Sequence, residues 1–366
     1  MARNNSAPPP GGHPAPLAEL ADFGWRPFFM QQLDADEFQR SVICRVTAVH
    51  RSGLHVLGVG VDTTIPHYAA DGGDEADFAT AGDWLLLDPE TLRPTRLLRR
   101  ASLIKRRAPG TGRRLQLIAA NIDTLFIVTS CNQDFNIARL ERYLTLAREA
   151  EVTPVVVITK SDLAEDPDAF RQIAAKLLPG LEVVVLDARI PEEVAKLSPW
   201  CGRGQTVAFV GSSGVGKSTL INTLTGAERI ATQGIREDDA KGRHTTSARV
   251  FHRMASGGWL LDTPGMRELQ LTDVQQGLDD VFADIAHLAQ SCRFQDCQHD
   301  SEPGCAVRAA VERGELDESR LLRWRKLVAE DAFHTQSLID RRAKERSFGR
   351  MVKTVKKTKT ARMDPD

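Results

Sequence analysis

Apolar and polar positions along this chain change rhythm twice. From Gln39 the apolar residues come in short, β-branched runs: Ser41–Val49, Leu54–Val61, Asp83–Leu87 and Leu97–Lys105. Ser52-Gly53 offers a turn between the first two, and Ala70–Asp77 reads as a loop. Short strands at this spacing predict a small β-barrel, OB-like or SH3-like, which pattern alone does not separate. From Asp123 strands and helices alternate. Thr124–Thr129 is followed by a helix with Leu140, Tyr143, Leu144 and Ala147 on one face; strands Val155–Thr159 and Val183–Leu186 flank a second helix. Gln205–Val210 then runs into a glycine-rich loop and the helical stretch Ser218–Leu224. Such alternation predicts a mostly parallel sheet covered on both faces, a multidomain α/β chain overall. After Gln275 the period is helical, broken by a Cys/His cluster.

The chain opens on a Pro/Gly-rich segment, Ala7–Pro16, that cannot bury a core, so residues 1–37 are expected to be a disordered extension. The remaining divisions are a barrel over 38–112, an α/β domain over 113–273, a helical metal-binding domain over 274–340 and a basic tail over 341–366. A length of 366 residues accommodates two or three such domains. No apolar run approaches the ~18 residues of a membrane span, and the N-terminus lacks the basic-then-apolar layout of a secretory signal. A cytoplasmic protein with no membrane partner is expected, and nothing in the pattern demands more than a monomer.

Charge changes this picture more than composition does. The formal net charge is −1, yet Arg93–Arg114 holds nine Lys/Arg and no acid, and Arg341–Arg362 holds ten against Glu345 alone. Two basic stretches on an otherwise acidic chain suggest contacts with a polyanion; solvated basic faces are the plainer alternative.

The candidate chemistry centres on Gly211-Ser212-Ser213-Gly214-Val215-Gly216-Lys217-Ser218-Thr219, which satisfies G-x-x-x-x-G-K-[ST]. It follows an apolar strand and precedes a helix, the context a phosphate loop requires. Small residues let backbone N–H groups wrap phosphates at a helix N-terminus. Lys217 then reaches the β/γ-phosphates, and the Ser218 hydroxyl ligates Mg²⁺. Asp262-Thr-Pro-Gly265 ends the apolar segment Trp259–Leu261: Asp262 can hold Mg²⁺, and the Gly265 N–H can sense the γ-phosphate. Between them runs the polar stretch Ile235–Ser247 with Gly242-Arg-His-Thr-Thr246, a switch candidate in which Thr246, ahead of Thr245, completes the metal shell. Ras-like proteins place Gln just after Asp-x-x-Gly to orient the attacking water. Here Met266 stands there, and the polar candidate for that role is His244.

Base choice is read earlier in the chain. Thr159-Lys160-Ser161-Asp162 matches Asn-Lys-x-Asp except that Thr159 replaces Asn, and its hydroxyl could donate to a ring nitrogen. Asp162 can accept from both N1–H and the exocyclic amine of guanine, a donor pair adenine lacks, while the Lys160 stem packs over the base. Asp187-Ala188 is a further base-contacting candidate. Base motif at 159, second base segment at 187 and phosphate loop at 211 is the Ras order circularly permuted. Moving the termini leaves spatial neighbours unchanged. Near the C-terminus, Cys292-x₄-Cys297-x-His299-x₅-Cys305 supplies three thiolates and one imidazole, a closed tetrahedral set for one structural Zn²⁺.

Taken together, Ala120-Asn-Ile-Asp123, the permuted order, Gly242-Arg-His-Thr-Thr246, Asp262-Thr-Pro-Gly265 and the Cys/His spacing resemble the ribosome small-subunit-dependent GTPase A family. The resemblance spans about Ser41 to Lys357. It implies an N-terminal OB domain, a central GTPase domain and a C-terminal zinc-containing helical domain. It also implies GTP hydrolysis to GDP and phosphate, stimulated by the small ribosomal subunit and its rRNA during late subunit maturation, and it too points to His244. An rRNA-binding module whose affinity is tuned by nucleotide, with little turnover, is the alternative; an ATP-dependent enzyme with an incidental Lys-Ser-Asp is a third reading.

Overall fold

Three short helices open the described chain: α1 (Leu17–Asp22), α2 (Pro27–Met30) and α3 (Ala35–Arg40). The computed structural model describes residues 17–70, 75–107, 115–226, 249–262, 273–333 and 335. α3 begins on a capping box, with the Asp34 carboxylate accepting from Glu37 N at 2.7 Å and Glu37 accepting from Asp34 N. Five antiparallel strands follow: β1 (Val42–His50), β2 (Gly53–Gly58), β3 (Val61–Ile65), β4 (Trp84–Leu87) and β5 (Pro94–Leu97). They pair in the order β5-β4-β1-β2-β3. Because side chains alternate across a strand, Cys44, Val46, Leu54, Val56, Leu85 and Leu87 gather on one face. Ile43, Trp84 and Leu86 gather on the other.

That second face corrects the expectation of disorder over 1–37. Leu20, Trp25 and Phe29, from the helical segment, cover it and are buried. Trp25 meets Trp84 edge-on at 4.8 Å between ring centroids, and Phe29 lies 5.7 Å from the same ring. A sheet apolar on both faces needs a second cover, and these residues supply it despite the Pro/Gly-rich composition upstream. Residues 1–16 lie outside the described residues.

Two strand expectations also change. The run Leu54–Val61 is divided by a turn at Gly60, whose φ of 71° suits glycine, so β3 is a separate strand. The run Leu97–Lys105 gives way to β5 and to β6 (Leu103–Arg107), which pairs with β7 (Leu115–Ala120), a strand the pattern did not reveal. Part of the first basic stretch is spent internally. Arg96 grips both oxygens of Glu37 at 2.5 and 2.7 Å, and Arg100 pairs with the buried Asp83 at 2.8 Å.

The alternating half forms β8 (Thr124–Ser130), α4 (Ile137–Glu149), β9 (Thr153–Thr159), α5 (Pro167–Ala175), β10 (Glu182–Val185) and α6 (Pro191–Val194). It continues with β11 (Thr206–Gly211), α7 (Lys217–Thr225), β12 (Arg249–Arg253) and β13 (Trp259–Asp262). The strand order is β10-β9-β8-β11-β13-β12, parallel except for β12. β12 also pairs antiparallel with β1, joining all of these into one 11-stranded sheet. Its core interleaves Phe126, Val155, Val157, Val207 and Phe209 with Val194, Leu197 and Leu220 from the covering segments.

These elements form one compact unit, and the described residues from Asp273 onward form another. The second unit holds α8 (Gln275–Val281), α9 (Ala283–Ala289), α10 (Ala306–Glu312) and a helix over 318–333. Leu278, Phe282, Ile285, Val307, Ala310 and Leu321 are among its buried apolar residues, and the Arg320 guanidinium sits 4.8 Å over the Phe282 ring. Among the described residues, no helix is long and apolar enough to cross a membrane.

Candidate functional site

The loop after β11 is built around two glycines. At Gly211 φ is 141° and a Cβ would lie 2.2 Å from the Val128 carbonyl oxygen, so no other residue fits against β8. Gly216, with φ of 92°, is the N-cap of α7 and offers no side-chain acceptor to the first-turn N–H groups. A helix N-terminus of that kind favours an anion. Lys217 Nζ donates to the carbonyl oxygens of Gly211, at 2.8 Å, and of Ser212. Its ammonium therefore lies along the loop. Val215 is buried beneath the loop, whereas Ser213, Gly214 and Ser218 are exposed and Thr219 half-buried. Arg139, in the first turn of α4, donates to Ser212 Oγ. That arginine escaped the sequence reading, since only the fold brings α4 to the loop.

At the carboxyl end of β9, Thr159 is fully buried. Its hydroxyl lies 2.6 Å from the Val215 carbonyl oxygen and 3.1 Å from that of Thr129. The hydroxyl thus ties the base motif to the phosphate loop. Lys160 takes a left-handed conformation (φ 55°, ψ 42°), and Ser161–Leu163 form a 3₁₀ turn that leaves the Asp162 carboxylate partly exposed. Asp187 sits beyond β10, nearly buried, its N–H donating to Glu193 Oε2 at 2.8 Å. The α7 hydroxyl of Thr223 lies 3.0 Å from the Thr219 carbonyl oxygen and 3.3 Å from that of Ala188.

Arg189 joins the two acids. Its N–H and Nε each lie 2.9 Å from Asp187 Oδ1, and its Nη2 lies 2.5 Å from Asp187 Oδ2 and 2.9 Å from Asp162 Oδ2. Hydrogen bonds from Arg189 hold the Asp187 carboxyl below the usual carboxylate range. The structure thus brings together Thr159–Asp162, Asp187–Ala188 and the Gly211–Thr219 loop at the carboxyl edge of the parallel strands. There β8 and β11 are the strands at which the chain reverses its direction across the sheet, the usual ligand crevice of such sheets. His244, Thr246, Gly265 and the Asp262 side chain lie outside the described residues.

In the other unit, Cys292, Cys297, His299 and Cys305 present ligand atoms that all lie within 4.8 Å of one another. Cys292 Sγ and Cys305 Sγ are 3.6 and 3.4 Å from His299 Nδ1 and 3.9 Å from each other. Tetrahedral bonds of ~2.3 Å to sulfur and ~2.0 Å to nitrogen require edges of about 3.5 Å (S–N) and 3.8 Å (S–S). The donor set therefore fits one Zn²⁺. Three features shape the loop. His299 adopts φ of 58°, and Cys305 is the N-cap of α10, its sulfur accepting from Arg308 N. The Glu302 carboxylate accepts from the N–H groups of Gln298, Asp300 and Ser301, which holds its carboxyl down to about 2. Burial lowers the His299 pKa, keeping the imidazole neutral as a ligand must be.

A phosphate loop on a central parallel strand, with its base segments encoded ahead of it, defines a circularly permuted GTPase. The model of the RsgA GTPase family matches residues 97–272. RsgA of Mesorhizobium japonicum, a small ribosomal subunit biogenesis GTPase, is 53% identical over 322 residues, 86% of this chain and 91% of that protein. RsgA 2 of Vibrio parahaemolyticus, bearing the same description, is 47% identical over 345 residues, 94% of each chain. Among solved structures, YloQ, a circularly permuted GTPase, aligns with TM-score 0.55 at 25% identity, over 79% of this chain and 94% of that one. YjeQ from Thermotoga maritima shares the fold with TM-score 0.57 at 24% identity, over 79% and 98%. The chain belongs to the RsgA GTPase family, and its activity is GTP hydrolysis.

Proposed function

We propose that this GTPase binds the small ribosomal subunit through its rRNA, hydrolyses GTP there to GDP and phosphate, and acts in late small-subunit maturation in the cytoplasm, as a monomer. The observation that carries the reading is the convergence of Asp162, Asp187–Ala188 and the phosphate loop on one sheet edge, in a chain whose relatives are small-subunit biogenesis GTPases. Asp162 accepts from guanine N1–H and the exocyclic amine, and the loop N–H groups with Lys217 hold the phosphates. Ser218, Thr246 and Asp262 would hold Mg²⁺, whose contribution is to neutralise phosphate charge. The fit rests on Ser218 standing exposed at the first turn of α7, where a phosphate-bound cation would lie. His244 orients the attacking water, the role Met266 cannot fill. The N-terminal strands act as an OB-like barrel, and one structural Zn²⁺ on Cys292, Cys297, His299 and Cys305 holds the helical unit. The basic residues of 93–114 not engaged internally, with those of 341–362, meet rRNA phosphates.

The switch has a direct route to the barrel. β12 follows the Gly242–Thr246 segment and pairs with β1 through Ala48–Val250 and Val49–Arg249. A change in the switch is thereby passed to β1, the central strand of the N-terminal sheet. GTP turnover titrated with purified small subunits tests the whole reading. Strong, saturable stimulation is expected. Tight nucleotide-dependent subunit binding without stimulated turnover would favour the rRNA-binding module instead.

A further inference from the structure

The Asp162 carboxylate, assigned above to guanine's two donors, already has a donor in this chain. Arg189 Nη2 is 2.9 Å from Asp162 Oδ2, while the remaining Arg189 bonds go to Asp187. A guanidinium and the N1/N2 edge of guanine are chemically alike. Each presents neighbouring N–H groups in one plane, spaced to meet a carboxylate. We propose that Arg189 is a specificity- and release-determining residue that stands in for the guanine edge on Asp162 and yields to it when a guanine nucleotide binds. The inference rests on the guanine reading of Asp162.

The geometry sets both the hold and its limit. Arg189 grips Asp187, whose side chain is only 8% exposed, through its backbone N–H, Nε and Nη2. Its contact with Asp162 is single, between side chains 66% and 37% exposed. Swinging Nη2 from Asp162 still leaves Arg189 anchored beside the site through its backbone N–H and Nε on Asp187. An exposed single pair is weak, so it competes with guanine without excluding it. Between cycles the arginine also offsets the repulsion of two neighbouring carboxylates and keeps Asp162 oriented. The cost falls on guanine affinity, and product release is faster for it.

Inosine nucleotides separate this competition from general effects. Inosine lacks the 2-amino group and offers Asp162 only N1–H, which leaves one carboxylate oxygen to Arg189. Guanine must displace the arginine, whereas hypoxanthine need not.

The test compares the full-length wild type with Arg189→Ala and with Asp187→Ser/Arg189→Ala, in which no carboxylate is left unpartnered at 187. GDP dissociation is followed by stopped-flow fluorescence, and GDP, IDP and ADP affinities by titration calorimetry. The expected result, in either variant, is GDP release slowed about two- to fivefold, the size of one exposed pair, and a GDP:IDP affinity ratio widened by the same factor. Unchanged or faster GDP release in both variants overturns the proposal and makes Arg189 a structural partner of Asp187. If the wild type binds ADP as well as GDP, the guanine assignment of Asp162 fails and takes the proposal with it, an outcome read separately in the same titration.

Discussion

Replacing Thr159 by Val tests whether the residue that departs from the guanine motif serves the base or the loop. The two side chains have nearly the same shape, so the change removes a hydroxyl and little else. In the structure that hydroxyl is buried, 2.6 Å from the Val215 carbonyl oxygen. Its loss leaves a carbonyl of the phosphate loop without this partner in a site closed to water, which costs about 1–3 kcal/mol. For a unit of this size each kcal/mol lowers Tm by about 2–4 °C, so a fall of roughly 2–12 °C is expected by calorimetry. Val215 sits midway along the loop that cradles the phosphates, so its loosening weakens all nucleotides alike. If the whole cost falls on the bound state, GDP and ADP affinities drop together by at most ~5- to 150-fold. Thr159→Ser, which keeps the hydroxyl, should recover most of both losses. Titration of GDP, GTP, ADP and ATP against the three proteins reads this directly. A variant that loses GDP affinity while ADP affinity and Tm stay at wild-type values would refute the argument, because it would put the hydroxyl on the base.

Phe29→Ala should destabilise the N-terminal unit by about 3–5 kcal/mol, the usual cost of emptying a buried aromatic site; a denaturant midpoint unchanged within error would show that the helical segment is not part of the core. Metal analysis should find one zinc per chain, and Cys297→Ser/Cys305→Ser should abolish it while GDP affinity stays at the wild-type value, since the phosphate loop belongs to the other unit; retained zinc would exclude these ligands. His244→Ala should lower kcat on the small subunit by about a hundredfold or more while changing GTP affinity little, the mark of a group acting in the transition state; an intact kcat would remove His244 from the catalytic machinery.

Much of the nucleotide site was legible in the sequence because its chemistry is local. The Gly211–Ser218 pattern specifies a strand, a tight turn and a helix N-terminus within a few residues, and the structure's positive φ values at Gly211 and Gly216 are what those glycines permit. The Cys/His set was legible for a related reason: four donors within fourteen residues can meet without help from distant elements. The alternating rhythm after Asp123 likewise yields its parallel sheet, since each strand and helix carries its own period.

What depended on distant partners was decided only by the tertiary structure. Leu20, Trp25 and Phe29 lie beside a Pro/Gly-rich stretch, and their burial follows from Ile43, Trp84 and Leu86 presenting a second apolar face. Strands β3 and β7 were missed because an edge hairpin is specified by its pairing more than by its own pattern. The donation of the Thr159 hydroxyl to Val215, the reach of Arg139 to Ser212 and the span of Arg189 between Asp162 and Asp187 all cross the sheet edge. A hydrogen bond depends on distance and direction in space, and separation along the chain carries information about neither once segments 30 or 73 residues apart lie side by side.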